Sequence, residues 1–149
     1  MNLKIQSGGQ TGVDRAAQDV ARELGIPCGG WCPKGRWAED GPIPSRYPLE
    51  ETPSIDPQQR TEWNVRDSDG TLVLTVGPVS GGTALTAEFA EKHNRPCLVL
   101  DLTTEPTAGA VRGWIEDNRI RILNVAGPRE SKQPGIYDQA MAVLRRLLG

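Results

Sequence analysis

A short apolar run that ends in a glycine-rich turn and then opens into a helical pattern constrains the fold of this chain most. The run covers residues 3–6, the turn residues 7–12 (Ser-Gly-Gly-Gln-Thr-Gly), and the helical pattern residues 13–24. Apolar residues at i, i+3, i+4 and i+7 spacing give that helix one buried face. Glycines allow positive φ and close backbone approach, and helix N-termini attract anions. We therefore predict a strand, a tight loop and a helix whose N-terminus binds a phosphate-like group.

A second unit of the same kind lies in the middle of the chain. Residues 71–76 form a β-branched apolar run typical of a buried strand, a glycine-containing loop follows at 77–82, and a helical pattern covers 83–93. Other runs predict strands at 26–30, 97–102 and 120–126, and helices at 58–66, 107–117 and 134–148. Strands that alternate with helices indicate a parallel sheet covered on both faces. We predict one α/β domain over residues 1–149, with about five mostly parallel strands.

The two glycine loops are the predicted ligand site. Ligands of open α/β sheets bind beyond the carboxyl ends of the strands, where the strand order reverses. If strand 3–6 lies beside strand 71–76, as in the order 2-1-3-4-5, both loops face one crevice. Backbone N–H groups, hydroxyl groups and two arginines would then contact the anion. The expected contacts are Ser7, Gly8, Gly9, Thr11, Gly12, Asp14, Arg15, Gly81, Gly82, Thr83 and Arg129.

The first loop matches neither of the two common phosphate-binding motifs. It is not Gly-x-Gly-x-x-Gly, and no Gly-Lys-Ser/Thr follows, as a P-loop requires. Asp14 suits the positive end of a helix, whereas Arg15 is unfavourable there unless it meets an anion or a carboxylate. The alternative is a strand–helix turn that binds nothing. Gly9→Val is expected to abolish ligand-induced stabilisation and to leave the fold intact.

Residues 31–57 interrupt the alternation of strands and helices with six prolines. A loop this long in a compact domain is usually functional or disordered. The aromatic residues Trp31, Trp37 and Tyr47 predict that it is anchored as an ordered, proline-rich flap. Charges of both signs would let such a flap close over a charged ligand, or could simply be solvated. These charges are Lys34, Arg36, Glu39 and Asp40.

Charge and cysteine content exclude several classes of partner. A net charge of −2 gives no basic surface for nucleic acid, and no apolar run reaches the ~20 residues of a membrane span. Three cysteines, without a signal-peptide pattern at the start, favour unbridged thiols and a cytoplasmic location over disulfides or a metal site. Residues 67–69 (Asp-Ser-Asp) predict a turn rather than a Mg²⁺ site.

Six motifs are spread over almost the whole chain. They are residues 7–16, 31–36 (Trp-Cys-Pro-Lys-Gly-Arg), 38–41 (Ala-Glu-Asp-Gly), 67–69, 80–83 (Ser-Gly-Gly-Thr) and 124–129 (Asn-Val-Ala-Gly-Pro-Arg). Together they resemble the putative molybdenum carrier family, which is similar to a circularly permuted branch of the SLOG superfamily. The resemblance implies a single Rossmann-like nucleotide-binding domain that assembles as a homo-oligomer.

The resemblance also implies a ligand, molybdenum cofactor or a nucleotide. Molybdopterin carries a phosphate, so both proposals use the same anion site. A related branch, the LOG-type phosphoribohydrolases, has Gly-Gly-x-Gly-Thr-x-x-Glu, which residues 81–88 match at both glycines and the glutamate. Ala84 and Leu85 replace the motif's other Gly and Thr. Glu88 is thereby implied as a ligand contact. The alternative function is hydrolysis of a nucleotide N-glycosidic bond, with Glu88 or Asp14 acting on the ribose.

Overall fold

The computed structural model describes residues 2–149 and contains five helices and nine strands there. The helices are α1 (Val13–Glu23), α2 (Pro57–Arg66), α3 (Gly81–Lys92), α4 (Ala108–Asp117) and α5 (Ile136–Leu148). The strands are β1 (Lys4–Gln6), β2 (Cys28–Gly29), β3 (Trp31–Cys32), β4 (Trp37–Ala38), β5 (Gly41–Pro42), β6 (Glu50–Glu51), β7 (Gly70–Thr75), β8 (Cys97–Asp101) and β9 (Ile122–Ala126). None of the helices within residues 2–149 has the length and apolar character of a membrane span.

Five strands form a central sheet in the order β2-β1-β9-β7-β8, and every neighbouring pair is parallel. The predicted α/β architecture is thus confirmed. The predicted position of β1 beside β7 is wrong, because β9 lies between them, with Leu123 opposite Ile5 and Val125 opposite Leu72. Three central residues of β9 are buried, whereas every residue of β8 is at least partly exposed, as befits an edge strand.

The strand order becomes regular when the chain is read from β7. The sequence β7, β8, β9, β1, β2 then gives the doubly wound order 2-1-3-4-5. The connectivity is therefore a circular permutation of that order. Because the order reverses between β7 and β9, the ligand crevice of this fold is expected at the carboxyl ends of these two strands.

The two faces of the sheet differ in polarity. Helices α1, α4 and α5 pack over an apolar core that includes Leu72 and Leu123. The opposite face, towards α2 and α3, carries buried polar side chains. There Asn124 Nδ2 donates to Thr71 Oγ1 at 3.2 Å, and Gln6 Nε2 donates to the carbonyl of α2 residue Asn64 at 3.1 Å. The polar side chains on this face lead towards the crevice at the carboxyl ends.

The flap, residues 31–57, is ordered around a small core of its own. Strand β3 pairs with β6 and β4 pairs with β5. Arg36 adopts a φ of 55° and donates to four flap carbonyls at 2.9–3.1 Å. These carbonyls belong to Ile43, Pro44, Tyr47 and Leu49. The guanidinium therefore holds the loop together where regular secondary structure is short.

Two of the three predicted aromatic anchors attach the flap to the domain. Trp31 Nε1 donates to Asp67 at 2.9 Å, and the Tyr47 hydroxyl donates to Asp19 of α1 at 2.6 Å. Trp37 is 51% exposed, so the prediction that it anchors the flap is wrong. It lies in the β4–β5 hairpin, where alternation of the strand turns its side chain to solvent while Ala38 faces the flap core.

Candidate functional site

A cavity of about 120 Å³ lies where the strand order reverses. Its wall consists of the segment 124–129, three residues of α2, the first two turns of α3, and Gly8, Asp14 and Lys132. A water molecule needs roughly 10–15 Å³ of such volume, so the space holds several waters or one small oxyanion. A second cavity of about 290 Å³ adjoins it across Thr83, Pro128 and Lys132. The two cavities therefore share part of one wall.

The N-terminus of α3 is open towards this cavity. Ser80 is the N-cap residue, but its side chain makes no capping hydrogen bond. A Cβ on Gly82 would meet no atom within 4 Å, and the point where a Gly81 Cβ would stand is 2.6 Å from Lys132 Nζ. The helix thus presents its positive end, with free backbone and an ammonium group beside it, as anion sites require.

The first glycine loop is closed around a carboxyl group of the protein itself. The side chain of Asp14 is buried against this loop, beside the backbone N–H groups of Gln10 and Gly8. Burial raises the pKa of Asp14 to about 6, although Arg60 and the backbone N–H groups oppose the rise. Asp14 is accordingly a carboxyl group that titrates close to neutral pH at the cavity wall.

Two arginines bind the carbonyl groups of the same loop. Arg60 Nη1 donates to the Gly8 carbonyl at 3.0 Å, and Arg15 Nε donates to the Gly9 carbonyl at 3.0 Å. Arg15 also forms a bidentate pair with Asp40 of the flap, at 3.0 and 3.2 Å. The partner of Arg15 at the start of α1 is therefore a carboxylate, one of the two kinds of partner expected there. Arg15 lies outside the cavity wall, whereas Arg60 lines the cavity.

The remaining members of the first loop contact protein groups. The Ser7 hydroxyl donates to the Asp14 carbonyl at 2.8 Å, and the Thr11 hydroxyl donates to Glu39. Gly9 and Gly12 have φ of 74° and 78°, and a Cβ on either would collide with a neighbour. These neighbours are the Leu49 side chain and the Pro128 carbonyl respectively.

Glu39 joins the flap to the loop that follows β9. It accepts hydrogen bonds from the Ser131 N–H at 3.1 Å and pairs with Arg129 Nε at 3.3 Å. Burial works against its ionisation, but hydrogen bonds from Ser131 and Thr11 hold the pKa of Glu39 below its ordinary value. The flap thus fixes the segment that carries Arg129 and Lys132, although no residue of 31–57 is among those lining the cavity.

The cavity wall brings together only part of the predicted contact set. The predicted contacts in the wall are Gly8, Asp14, Gly82, Thr83 and Arg129. Those outside it are Ser7, Gly9, Thr11, Gly12, Arg15, Gly81 and Glu88. Glu88 is exposed on α3, two residues beyond the last wall residue of that helix, Thr86.

Sequence reasoning missed two cations of the wall, Arg60 and Lys132. Arg60 lies on a polar helix, where an arginine usually faces solvent, and nothing in its local sequence distinguishes it. Lys132 offered a better signal, because it lies in the same loop as Arg129, beyond the carboxyl end of β9.

The acidic segment 67–69 lies at the other end of the sheet. Asp69 accepts hydrogen bonds from the N–H groups of Arg121 and Ile122 at 3.0 and 2.8 Å. It therefore fixes the start of β9 against the start of β7. Within residues 2–149, no three His, Cys, Asp or Glu side chains are grouped as a metal site would need, and the three cysteines are free.

Comparison with known proteins adds a family and a solved relative. The model of the Circularly permutated YpsA SLOG family matches residues 5–148. The crystal structure of a protein from Syntrophus aciditrophicus SB, described as a putative molybdenum carrier protein, is 48% identical with a TM-score of 0.95. The match covers 99% of this chain and 96% of that one. No curated protein matches this chain.

Proposed function

This chain belongs to the circularly permutated YpsA SLOG family, and from that premise we propose that it is a carrier for a small phosphate-bearing ligand. The ligand is molybdenum cofactor or a nucleotide, bound in the cavity beside the two glycine loops. The solved relative is described as a putative molybdenum carrier. Molybdopterin and nucleotides both present a phosphate, so one anion site serves either ligand.

The observation that carries this proposal is the convergence of positive charge on one cavity. Arg60, Arg129 and Lys132 line it together with the open N-terminal turn of α3. Asp14 supplies the single carboxyl group among the lining residues. Backbone N–H groups at a helix N-terminus, with basic side chains around them, favour phosphate over neutral or cationic ligands.

The proposed contacts follow from this arrangement. The phosphate lies at the start of α3, where the Gly82 N–H, the Thr83 hydroxyl and the Lys132 ammonium group surround it. The rest of the ligand extends into the adjoining cavity, towards Thr75 and Pro78 at the carboxyl end of β7. The flap supports the site indirectly, through the bonds of Glu39 to the loop after β9.

Titration calorimetry with inorganic phosphate and with AMP tests the proposal. Lys132→Ala is expected to weaken binding of both about tenfold, because it removes a cation from the anion site. Lys34→Ala is the matched control, since it removes an exposed lysine of the flap that does not line the cavity. Absence of binding by the unaltered protein, or equal losses in the two variants, would overturn the proposal. Mass spectrometry of material that co-purifies would identify the natural ligand.

One observation supports the hydrolase alternative, namely the position of Asp14. Its carboxyl group lies in the cavity wall with a pKa near 6, which suits a general acid or base. Glu88 lies outside that wall. Chromatography of nucleoside monophosphates incubated with the protein would detect free base. Release that is lost in Asp14→Asn and retained in Glu88→Gln would favour the hydrolase over a pure carrier.

We further propose that the carrier is a cytoplasmic homo-oligomer. The free cysteines are consistent with a reducing compartment, and the family resemblance supports self-association. Light scattering of the purified protein measures the oligomeric state directly.

A further inference from the structure

Asp14 places a carboxyl group in the wall of a cavity whose other charged lining residues are cations. Asp14 Oδ2 and Arg60 Nη1 each lie 2.9 Å from the point where a Cβ on Gly8 would stand. Within residues 2–149, Asp14 nevertheless takes part in no ion pair. The Asp14 carboxyl group and the Arg60 guanidinium group therefore both lie beside Gly8, but they do not form a salt bridge with each other.

The other charged groups around Asp14 have partners or face the cavity. On its own helix, Arg15 is paired with Asp40. In the loop after β9, Arg129 is paired with Glu39, while Lys132 lies beside the start of α3. The wall residues of α3 itself are not titratable: they are Gly82, Thr83 and Thr86. Any anion in the cavity consequently shares it with the Asp14 carboxyl group.

Two acceptors cannot form a hydrogen bond. An ionised carboxylate only accepts, and so does an oxygen of a fully deprotonated oxyanion, so the pair repels. An oxyanion that still carries a proton donates that proton to the carboxylate and forms a short, charge-assisted bond. Inorganic phosphate keeps such a proton well above pH 8, whereas a phosphomonoester loses its last proton at about pH 6. Sulfate and molybdate carry no proton near neutral pH.

We infer that Asp14 is a specificity-determining residue, which favours oxyanions that carry a proton, such as hydrogen phosphate, over unprotonated sulfate and molybdate. The inference deepens the proposed function and rests on it, since it concerns the same anion site. Its consequence for a molybdenum carrier is specific. Free molybdate is a poor ligand, and a phosphomonoester binds beside an ionised Asp14 only together with one proton.

The discrimination depends on pH in a defined direction. Above a pKa of about 6 the Asp14 carboxyl group is ionised and rejects sulfate. Below that pH the protonated group becomes a donor, and a donor bonds to any oxyanion. Sulfate binding should therefore strengthen as the pH falls from about 8 to about 5.

Calorimetric titration of the full chain with sodium phosphate, sodium sulfate and sodium molybdate at pH 8 tests the inference. The unaltered protein is expected to bind phosphate at least about tenfold more tightly than the other two, because a buried carboxylate facing an acceptor is costly. Asp14→Asn replaces the carboxylate with an amide that can donate, and should bring the three affinities within about threefold. Asp138→Asn, at an exposed acid in the first turn of α5, should keep the discrimination.

The outcomes separate this inference from the proposed function. Equal binding of phosphate and sulfate by the unaltered protein, or an unchanged preference in Asp14→Asn, overturns the role of Asp14 and leaves the anion site standing. Failure of phosphate and AMP to bind overturns both. If Asp14→Asn does not fold, the pH series on the unaltered protein decides. Sulfate affinity that does not rise between pH 8 and pH 5 contradicts the inference.

Discussion

The two glycine loops share a strand–loop–helix plan but differ in what occupies them. In the first, the side chain of Asp14 is buried against the loop, and Arg15 and Arg60 donate to the loop carbonyls. In the second, Gly81 and Gly82 are exposed, and the N-cap side chain leaves the helix end free. The first loop is thus closed by the protein's own groups, and the second is open to a ligand.

This difference shows what a glycine-rich turn before a helix does and does not predict. It predicts that other atoms come close to the backbone, because only glycine combines positive φ with the absence of a side chain. It does not predict whether those atoms belong to a ligand. At Gly12 they belong to the Pro128 carbonyl, whereas at Gly82 the space is empty.

The largest expected effect is on the free energy of unfolding, when a glycine in each loop is replaced by alanine. Gly12→Ala puts a Cβ at a φ of 78° against a backbone carbonyl, which should lower the free energy of unfolding by about 2–4 kcal/mol. Gly82→Ala adds a methyl group in open space within a helix, and should change stability by less than about 1 kcal/mol, in the stabilising direction. Urea denaturation measures both. Similar losses would contradict the distinction between a closed and an open loop.

The same contrast revises the sequence-based expectation for Gly9→Val. That substitution was expected to spare the fold. Gly9 has a φ of 74°, and a side chain there would collide with Leu49 of the flap core. Gly9→Val should therefore destabilise the protein, and a loss of ligand binding in this variant would not by itself identify a contact.

The closed loop should also make stability depend on pH in an unusual direction. The folded pKa of Asp14, about 6, lies above the ordinary value of 3.8, so the folded state binds the extra proton between these values. Stability contributed by this group is present at low pH and lost as the pH rises through about 6, by on the order of 3 kcal/mol. Asp14→Asn should remove that loss.

Urea denaturation of the unaltered protein and Asp14→Asn at pH 4 and pH 8 measures the effect as a difference. The comparison is necessary because Glu39, Glu62 and Asp67 have lowered pKa values and lose their stabilisation as the pH falls. These groups cancel between the two proteins. A difference that stays constant with pH would show that Asp14 is ionised normally.

The architecture was predictable because the spacing of apolar residues differs between strands and helices. The apolar alternation of strands and helices fixed α/β, and the stripe on residues 13–24 matches the buried face of α1. Strand order was not predictable in this way. The residues of β9 do not indicate that this strand pairs with β1 and β7. Pairing depends on the crossover connections, which bring residue 5 opposite residue 123.

The wall of the candidate site was predictable where it depended on local structure and unpredictable where it depended on packing. Gly82 and Thr83 follow directly from a loop that opens a helix. Arg60 enters the wall only because α2 packs against α3, and Arg15 leaves it because Asp40, 25 residues away, binds its guanidinium. Local sequence patterns contain neither relation.

The smallest effect is expected from a substitution that gives the second, open loop a carboxylate like that of the first. Ser80→Asp places a carboxylate at the N-cap of α3, where it can accept a hydrogen bond from the Gly82 N–H and interact with the helix dipole. The free energy of unfolding should rise by about 0.5–1 kcal/mol, while phosphate affinity falls because the protein now supplies its own anion. Thermal denaturation and calorimetric titration of one sample measure the two changes, with Thr107→Asp at the capped N-terminus of α4 as control. Stabilisation without loss of phosphate binding would place the anion elsewhere than at the start of α3.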